Sequence, residues 1–350
     1  MKTSIRNLVL VFIPLFLVIL VLQSCSGGSD SFTPADTSFE IKVTFSPTEV
    51  KSTNGKVNLL YGVETSNFEK EGYELKDFQV LNAANGTILC SISDTGKYML
   101  IHKAFGGNIP PEDYYTPQDI HSTYRFTIGL ELDPAQVPQK INHKLILVKD
   151  AKEKIIEGTE TTVLKGPIPV ISSPLKGERF VSGATTSLAN NHHPAFQLTY
   201  KGKTTVIERF CVDWVKVDET GNYFHDDMKV NENWYVYGQD VYAVADGSVI
   251  SAQDGMPDQI PLENSDTNVY DATGNNVVIL ISGGYGYAVY CHLKPNSIAV
   301  KTGQKVTKGQ LIGKVGNSGD STAPHLHFGL HTEFPYYISE SIPYYIDSLE

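Results

Sequence analysis

Apolar and polar residues alternate in short runs along most of this chain, with a period of two rather than that of a helix. Phe39-Glu-Ile-Lys-Val-Thr-Phe45 places its apolar side chains on one face, as a half-buried strand requires. Tyr124–Leu132 and His143–Val148 read as further strands, and Asn82-Ala-Ala-Asn-Gly86 as a turn. Short strands separated by turn signals predict a β-sandwich of immunoglobulin type over residues 39–165. Gly166-Pro-Ile-Pro169 marks a boundary, because two prolines so close together resist regular structure. Beyond it, Val241–Ile250, Asn276–Ile281, Tyr287–Leu293, Ile298–Val300 and Gln310–Val315 carry the β-branched and apolar content of sheet. The expected fold class is all-β, with a second β-sheet domain over residues 166–350.

The N-terminus breaks this pattern. Leu8–Leu22 contains no polar residue, follows Lys2 and Arg6, and is interrupted by Pro14. It is shorter than the roughly 20 residues that span a bilayer, and it has the anatomy of an export signal. Leu22-Gln-Ser-Cys25 resembles the lipobox of bacterial lipoproteins. That resemblance implies cleavage after residue 24, lipid on Cys25, and membrane attachment at the bacterial cell envelope; a plain cleaved signal peptide is the alternative. Residues 25–38, opening on Ser26-Gly-Gly-Ser-Asp30, read as a flexible tether. By analogy with lipoprotein sorting, Ser26 after the cysteine favours the outer membrane or periplasmic face.

Composition narrows the partners. The formal net charge is -11, and no Lys/Arg block follows the leader, which argues against a nucleic-acid partner. Three cysteines remain beyond Cys25, namely Cys90, Cys211 and Cys291. An odd number in an exported protein leaves a thiol over, so a disulfide framework does not hold the fold together.

The chemistry concentrates in Pro324-His-Leu-His-Phe328. Residues two apart on a strand share a face, so His325 and His327 project together. Two buried imidazoles side by side need a use for their lone pairs, and a divalent cation such as zinc supplies one. The alternative is a hydrogen-bonded structural pair. Upstream stand Val241-Tyr-Ala-Val-Ala-Asp-Gly247, Tyr290-Cys-His-Leu293, Gly303-Gln-Lys-Val-Thr-Lys-Gly-Gln-Leu-Ile-Gly313 and Gly316-Asn-Ser-Gly-Asp-Ser-Thr-Ala-Pro324. This ordered set resembles the lysostaphin- and LytM-type zinc endopeptidases, which cut peptides of peptidoglycan. The resemblance is dense over residues 241–328 and reaches back weakly to Asp213. It implies a zinc cofactor held by Asp213 and His327, with His325 and His292 as catalytic histidines, and peptidoglycan peptides as substrate.

One position departs from that family. Its first zinc ligand is a histidine four residues before the aspartate, and here that residue is Arg209, which cannot ligate a cation. Leu198–Thr205 reads as a hairpin centred near Gly202, which would lay a strand from His192 to Tyr200 against one from Thr204 to Trp214. That register sets His193 opposite Cys211, on the face of Asp213, and makes His193 the candidate third ligand. A slip of one residue would favour His192. Strand alternation also puts Cys211 on the Asp213 face, either as a thiolate ligand or as a small buried filler, and turns Cys291 into the core, away from His292. Two polar insertions, 215–240 with His225 and 254–275, read as groove walls or solvated loops.

Three readings compete. The first is an active zinc endopeptidase acting on peptidoglycan stem or cross-bridge peptides. The second is a zinc-free relative that binds the wall or regulates another hydrolase. The third, a biotinyl or lipoyl carrier, lacks the modifiable Met-Lys-Met or Asp-Lys hairpin. The first is preferred, and the sequence names no protein partner.

Overall fold

The computed structural model describes residues 39–66, 68–91, 99–103, 123–184, 193, 198–200, 203–263, 267 and 271–347. These belong to one unit, Ser38–Glu350. The leader, the tether, Cys25 and His192 lie outside the described residues. No helix among the described residues is long and apolar enough to cross a membrane.

The alternating segments fold as strands. Two antiparallel sheets share the first core: one runs in the order Ile41–Phe45, Val57–Ser66, Thr123–Leu132, Met99–Lys103, the other Thr161–Thr162, Lys140–Lys149, Glu74–Asn82, Ile88–Ser91. Phe126 and Phe78, one from each sheet, are fully buried and stack with ring centroids 4.2 Å apart. Each buried phenylalanine contributes about 1.5–3 kcal/mol relative to exposure. The titratable group buried beside it is His143, whose Nε2 lies 3.0 Å from the Tyr61 hydroxyl inside this core. Burial pushes its pKa down to about 4, so the ring stays uncharged there.

A second core belongs to an eight-stranded antiparallel sheet. Its order is Phe180–Ala184, Val212–Lys216, Leu326–His331, Tyr287–Leu293, Asn275–Ile281, Gly247–Gln253, Lys305–Val306, and Ser341–Ile342 also pairs with Leu326–His331. Tyr290, Phe328, Leu326 and Val277 fill its inner face. The structure is therefore all-β.

Two expected strands differ. Val241–Ile250 is not one strand: Asp240–Tyr242 pairs with Leu311–Lys314 in a separate two-stranded sheet, and Gly247–Gln253 belongs to the large one. The intervening residues carry the chain from one sheet to the other. Ile298–Val300 forms no strand. Val300 is buried and Ile298 packs beside it, so their apolar character serves side-chain packing alone.

Candidate metal centre and active site

Cross-strand register creates the centre. Asp213 sits directly opposite His327 across the pairing of Val212–Lys216 with Leu326–His331. Its Oδ1 lies 2.9 Å from His327 Nδ1 and 3.5 Å from His325 Nε2, and its Oδ2 lies 3.1 Å from His193 Nε2. Burial works against the Asp213 charge, but the surrounding imidazoles outweigh it and hold the carboxyl well below the usual carboxylate range. Asp213 is thus ionised throughout the neutral range.

His325 immediately precedes its strand. Its Nδ1 lies 2.8 Å from the Ala323 carbonyl and 3.3 Å from Ser321 Oγ. A carbonyl only accepts, so the ring proton sits on Nδ1 and the lone pair on Nε2, facing Asp213. His292 repeats the arrangement with Nδ1–H donating to the Ser318 carbonyl at 2.8 Å. Burial, then the neighbouring imidazoles, push its pKa well below the ordinary histidine value. The His292 ring centroid is 4.7 Å from that of His325 and 5.9 Å from that of His327.

A bulge aims His292. The register between Asn275–Ile281 and Tyr287–Leu293 slips between the Asn275–Leu293 and Val277–Tyr290 pairs, and His292 has φ of 59°. A non-glycine residue in this left-handed region is held by its surroundings. Here its N–H donates to Thr273 O and its carbonyl accepts from Gly316 N–H. Cys291, its neighbour, is buried beside Val278 and Val289 but pairs with His327, on the sheet face of the centre and not in the main core expected for it; the bulge, not strand alternation, brings His292 to the centre.

His193 also arrives at Asp213, but not by the expected hairpin. Leu198–Tyr200 pairs with Lys203–Thr205 in the register Tyr200↔Lys203, one residue away from symmetry about Gly202. The second strand does not run on to Trp214; residues 207–210 turn, and the Asp213 strand begins afresh at Val212. His193 is buried and held by Nδ1–H donating to the Cys211 carbonyl at 3.1 Å. The turn brings Cys211 O to it, where a continuous strand would have presented a side chain.

Arg209 lies in that turn and takes another role. It is buried, ion-paired with Glu340, and its guanidinium lies over the Phe45 ring of the first sheet, 2.9 Å from the centroid. Breaking a buried ion pair costs about 3–5 kcal/mol. Arg209→Ala is therefore expected to lower the melting temperature clearly while leaving metal content intact, read by calorimetry and by metal analysis of the same sample. Metal lost without a fall in stability would contradict this.

The donor atoms of His193, Asp213 and His327 lie within 4.8 Å of one another, and those of His292, His325 and His327 form a second such group. Buried imidazole and carboxylate donors in this number suit zinc, which takes three protein ligands and keeps a fourth position open in catalytic sites. Residues 233–336 match the family model described as Peptidase family M23. This part of the chain is an M23 peptidase domain. The chain is 41% identical over 80 residues to the peptidoglycan DD-endopeptidase ShyA of Vibrio cholerae serotype O1, covering 21% of this chain and 18% of the relative. It is 34% identical over 108 residues to the glycyl-glycine endopeptidase ALE-1 of Staphylococcus capitis, covering 31% and 24%. It thus spans less than a quarter of the length of these relatives. The catalytic domain of lysostaphin from Staphylococcus simulans aligns at 25% identity over 34% of this chain and 84% of that one, with a TM-score of 0.23.

The M23 match includes His292, His325 and His327, whereas His193 and Asp213 precede it. Behind the M23 site, Cys211 is buried with its thiol 3.7 Å from His331 Nε2, and burial raises its pKa. It joins neither metal group and acts as a filler. Cys90, Cys211 and Cys291 are all unbridged. His225 is exposed, pairs with Asp226, and belongs to neither metal group. Sequence reading missed the residues that orient the M23 histidines: Ser318, Ser321 and Ala323. All three stand in Gly316–Pro324, but they act through two backbone carbonyls and a hydroxyl, which give no distinctive side-chain signal.

Proposed function

We propose that the chain is a zinc-dependent endopeptidase that hydrolyses peptide bonds in peptidoglycan stem or cross-bridge peptides. The observation that carries the reading is the convergence of His193, Asp213 and His327 beside His292 and His325. Zinc bound there would supply a Lewis acid and make a water acidic enough to attack near neutral pH. His193, Asp213 and His327 hold the ion. His325, with its Nε2 lone pair toward the ligands, takes the proton of the attacking water. His292 has the same polarity, so its Nε2 would serve the oxyanion of the tetrahedral intermediate only after the proton of the attacking water has passed to it. The peptidoglycan substrate rests on the M23 match and on what the two relatives are named for.

The leader, lipid attachment at Cys25 and an outer-membrane or periplasmic position belong to the same proposal, as does a division into an immunoglobulin-like accessory domain at 39–165 and the peptidase domain at 166–350. The test is zinc stoichiometry of the purified protein together with muropeptide release from purified sacculi. One tightly held zinc and cleavage that chelators abolish are expected. Wall binding with neither metal nor cleavage would replace this reading with that of a degenerate wall-binding relative.

A further inference from the structure

Asn317 is fully buried at the meeting point of the two insertions and the loop that orients the histidines. Its side-chain Nδ2 donates to the Gln259 carbonyl at 3.1 Å and to Asn231 Oδ1 at 3.0 Å. Asn231 lies in the first insertion and Gln259 in the second. Its backbone N–H donates to Asp258 Oδ1 at 2.7 Å, and its carbonyl accepts from Gln259 N–H at 2.8 Å. Tyr237, also from the first insertion, donates its hydroxyl to the other oxygen of Asp258. Four hydrogen-bonded groups from two insertions therefore converge on one residue, with Tyr237 bracing one of them.

This arrangement has a direction. The Gln259 carbonyl only accepts, so the Asn317 amide cannot be turned over, and its Oδ1 must face Ser321. Ser321 Oγ lies 2.7 Å from that oxygen. The Ala323 carbonyl, 3.0 Å from the same hydroxyl, is a second acceptor for its single proton, and with either acceptor an oxygen lone pair is left for His325 Nδ1–H at 3.3 Å. The adjacent Ser318 fixes the other histidine: its carbonyl accepts from His292, while its hydroxyl donates to Leu293 O and accepts from Asn275 N–H. The loop can lie this close because Gly274 and Gly319 meet backbone to backbone, each with positive φ and with no room for a Cβ.

We propose that Asn317, supported by Asn231 and Gln259, is the positioning residue that seats Ser321 against His325 and holds in place the loop whose Ala323 and Ser318 carbonyls fix the polarity of His325 and His292. The inference rests on the catalytic reading of those two histidines. It also gives the insertions a second use besides lining a groove: they lock the catalytic loop from outside the sheet.

The experiment is long-range imidazole 1H–15N spectroscopy on the 15N-labelled full chain without metal, with the rate of muropeptide release measured on the zinc-loaded protein. In the parent, His292 and His325 should carry their proton on Nδ1. In Asn317→Ala, the His325 and His292 imidazole signals should shift or broaden, because the loop that carries the Ala323 and Ser318 carbonyls is loosened. Release should fall about 10- to 100-fold, the range for partners that orient a ligand or base, with zinc content unchanged. His143, buried in the first core, is the internal folding reference. If Asn317→Ala disturbs His143 as well, Asn231→Ala and Ser321→Ala decide on folded protein. Unchanged His292 and His325 signals in the folded variants, or unchanged release by an active parent, would overturn the proposal. A parent that releases nothing yet gives the expected spectra would sink the hydrolytic reading and leave the Asn317 assignment standing.

Discussion

The His193→Ala protein is expected to bind zinc more than about 100-fold more weakly than the parent, since losing even an outer partner of a ligand costs 10- to 100-fold. His193 Nε2 lies 3.1 Å from Asp213 Oδ2 and its other nitrogen is already held by Cys211 O, so the ring presents one donor atom at one angle. Neither Arg209 nor Cys211 can take over. Arg209 is committed to Glu340 and Phe45, and Cys211 is outside both metal groups. A His193→Ala, Arg209→His double variant should remain as weak, because residue 209 sits in the turn before the Asp213 strand begins. His225→Ala should bind as the parent does. Competition with a chromophoric chelator reads all of these, and parent-like affinity in His193→Ala would show that the ligand set is wrong.

Much of this was legible from residue pattern. Alternation located Thr123–Leu132, Lys140–Lys149, Asn275–Ile281 and Tyr287–Leu293 to within three residues at each end, because each has one face on a core. The spacing of His325 and His327 put both beside Asp213, because a short strand in a flat region keeps its parity. Parity fails where the backbone leaves the pleat. The bulge brought His292 to the centre by a left-handed φ that no side-chain pattern encodes, and left Cys291, expected in the core, on the face of His327. His193 reached Asp213 although the hairpin argument behind it used a register one residue off and a strand that ends at Thr205. What fixed it was a carbonyl, Cys211 O, and backbone groups are the same in every residue. For that reason Ser318, Ala323 and the Asn317 network were invisible, although their residues were read. The Arg209–Phe45 contact joins positions 164 apart in sequence and had no local signal at all.

Separating ligand from base is the remaining step, and His325 is where the two roles diverge most. His325→Ala is expected to keep its zinc and to lose about 100- to 10,000-fold in muropeptide release, the span that general acid–base groups contribute. The geometry gives the reason. His327 Nδ1 approaches Asp213 Oδ1 to 2.9 Å and shares a group of donors with His193, whereas His325 Nε2 stays 3.5 Å away and joins only the group that contains His292. His327→Ala should therefore lose metal and activity together, and His325→Ala activity alone. His292→Ala should resemble His325→Ala, and the two losses should add to less than their sum, because the rings are 4.7 Å apart and act on the same substrate. Zinc content measured beside the release rate distinguishes the cases. A His325→Ala protein that loses its zinc would make His325 a ligand, and the proton would then have to be taken by His292, the remaining imidazole whose Nε2 lone pair faces the same cluster.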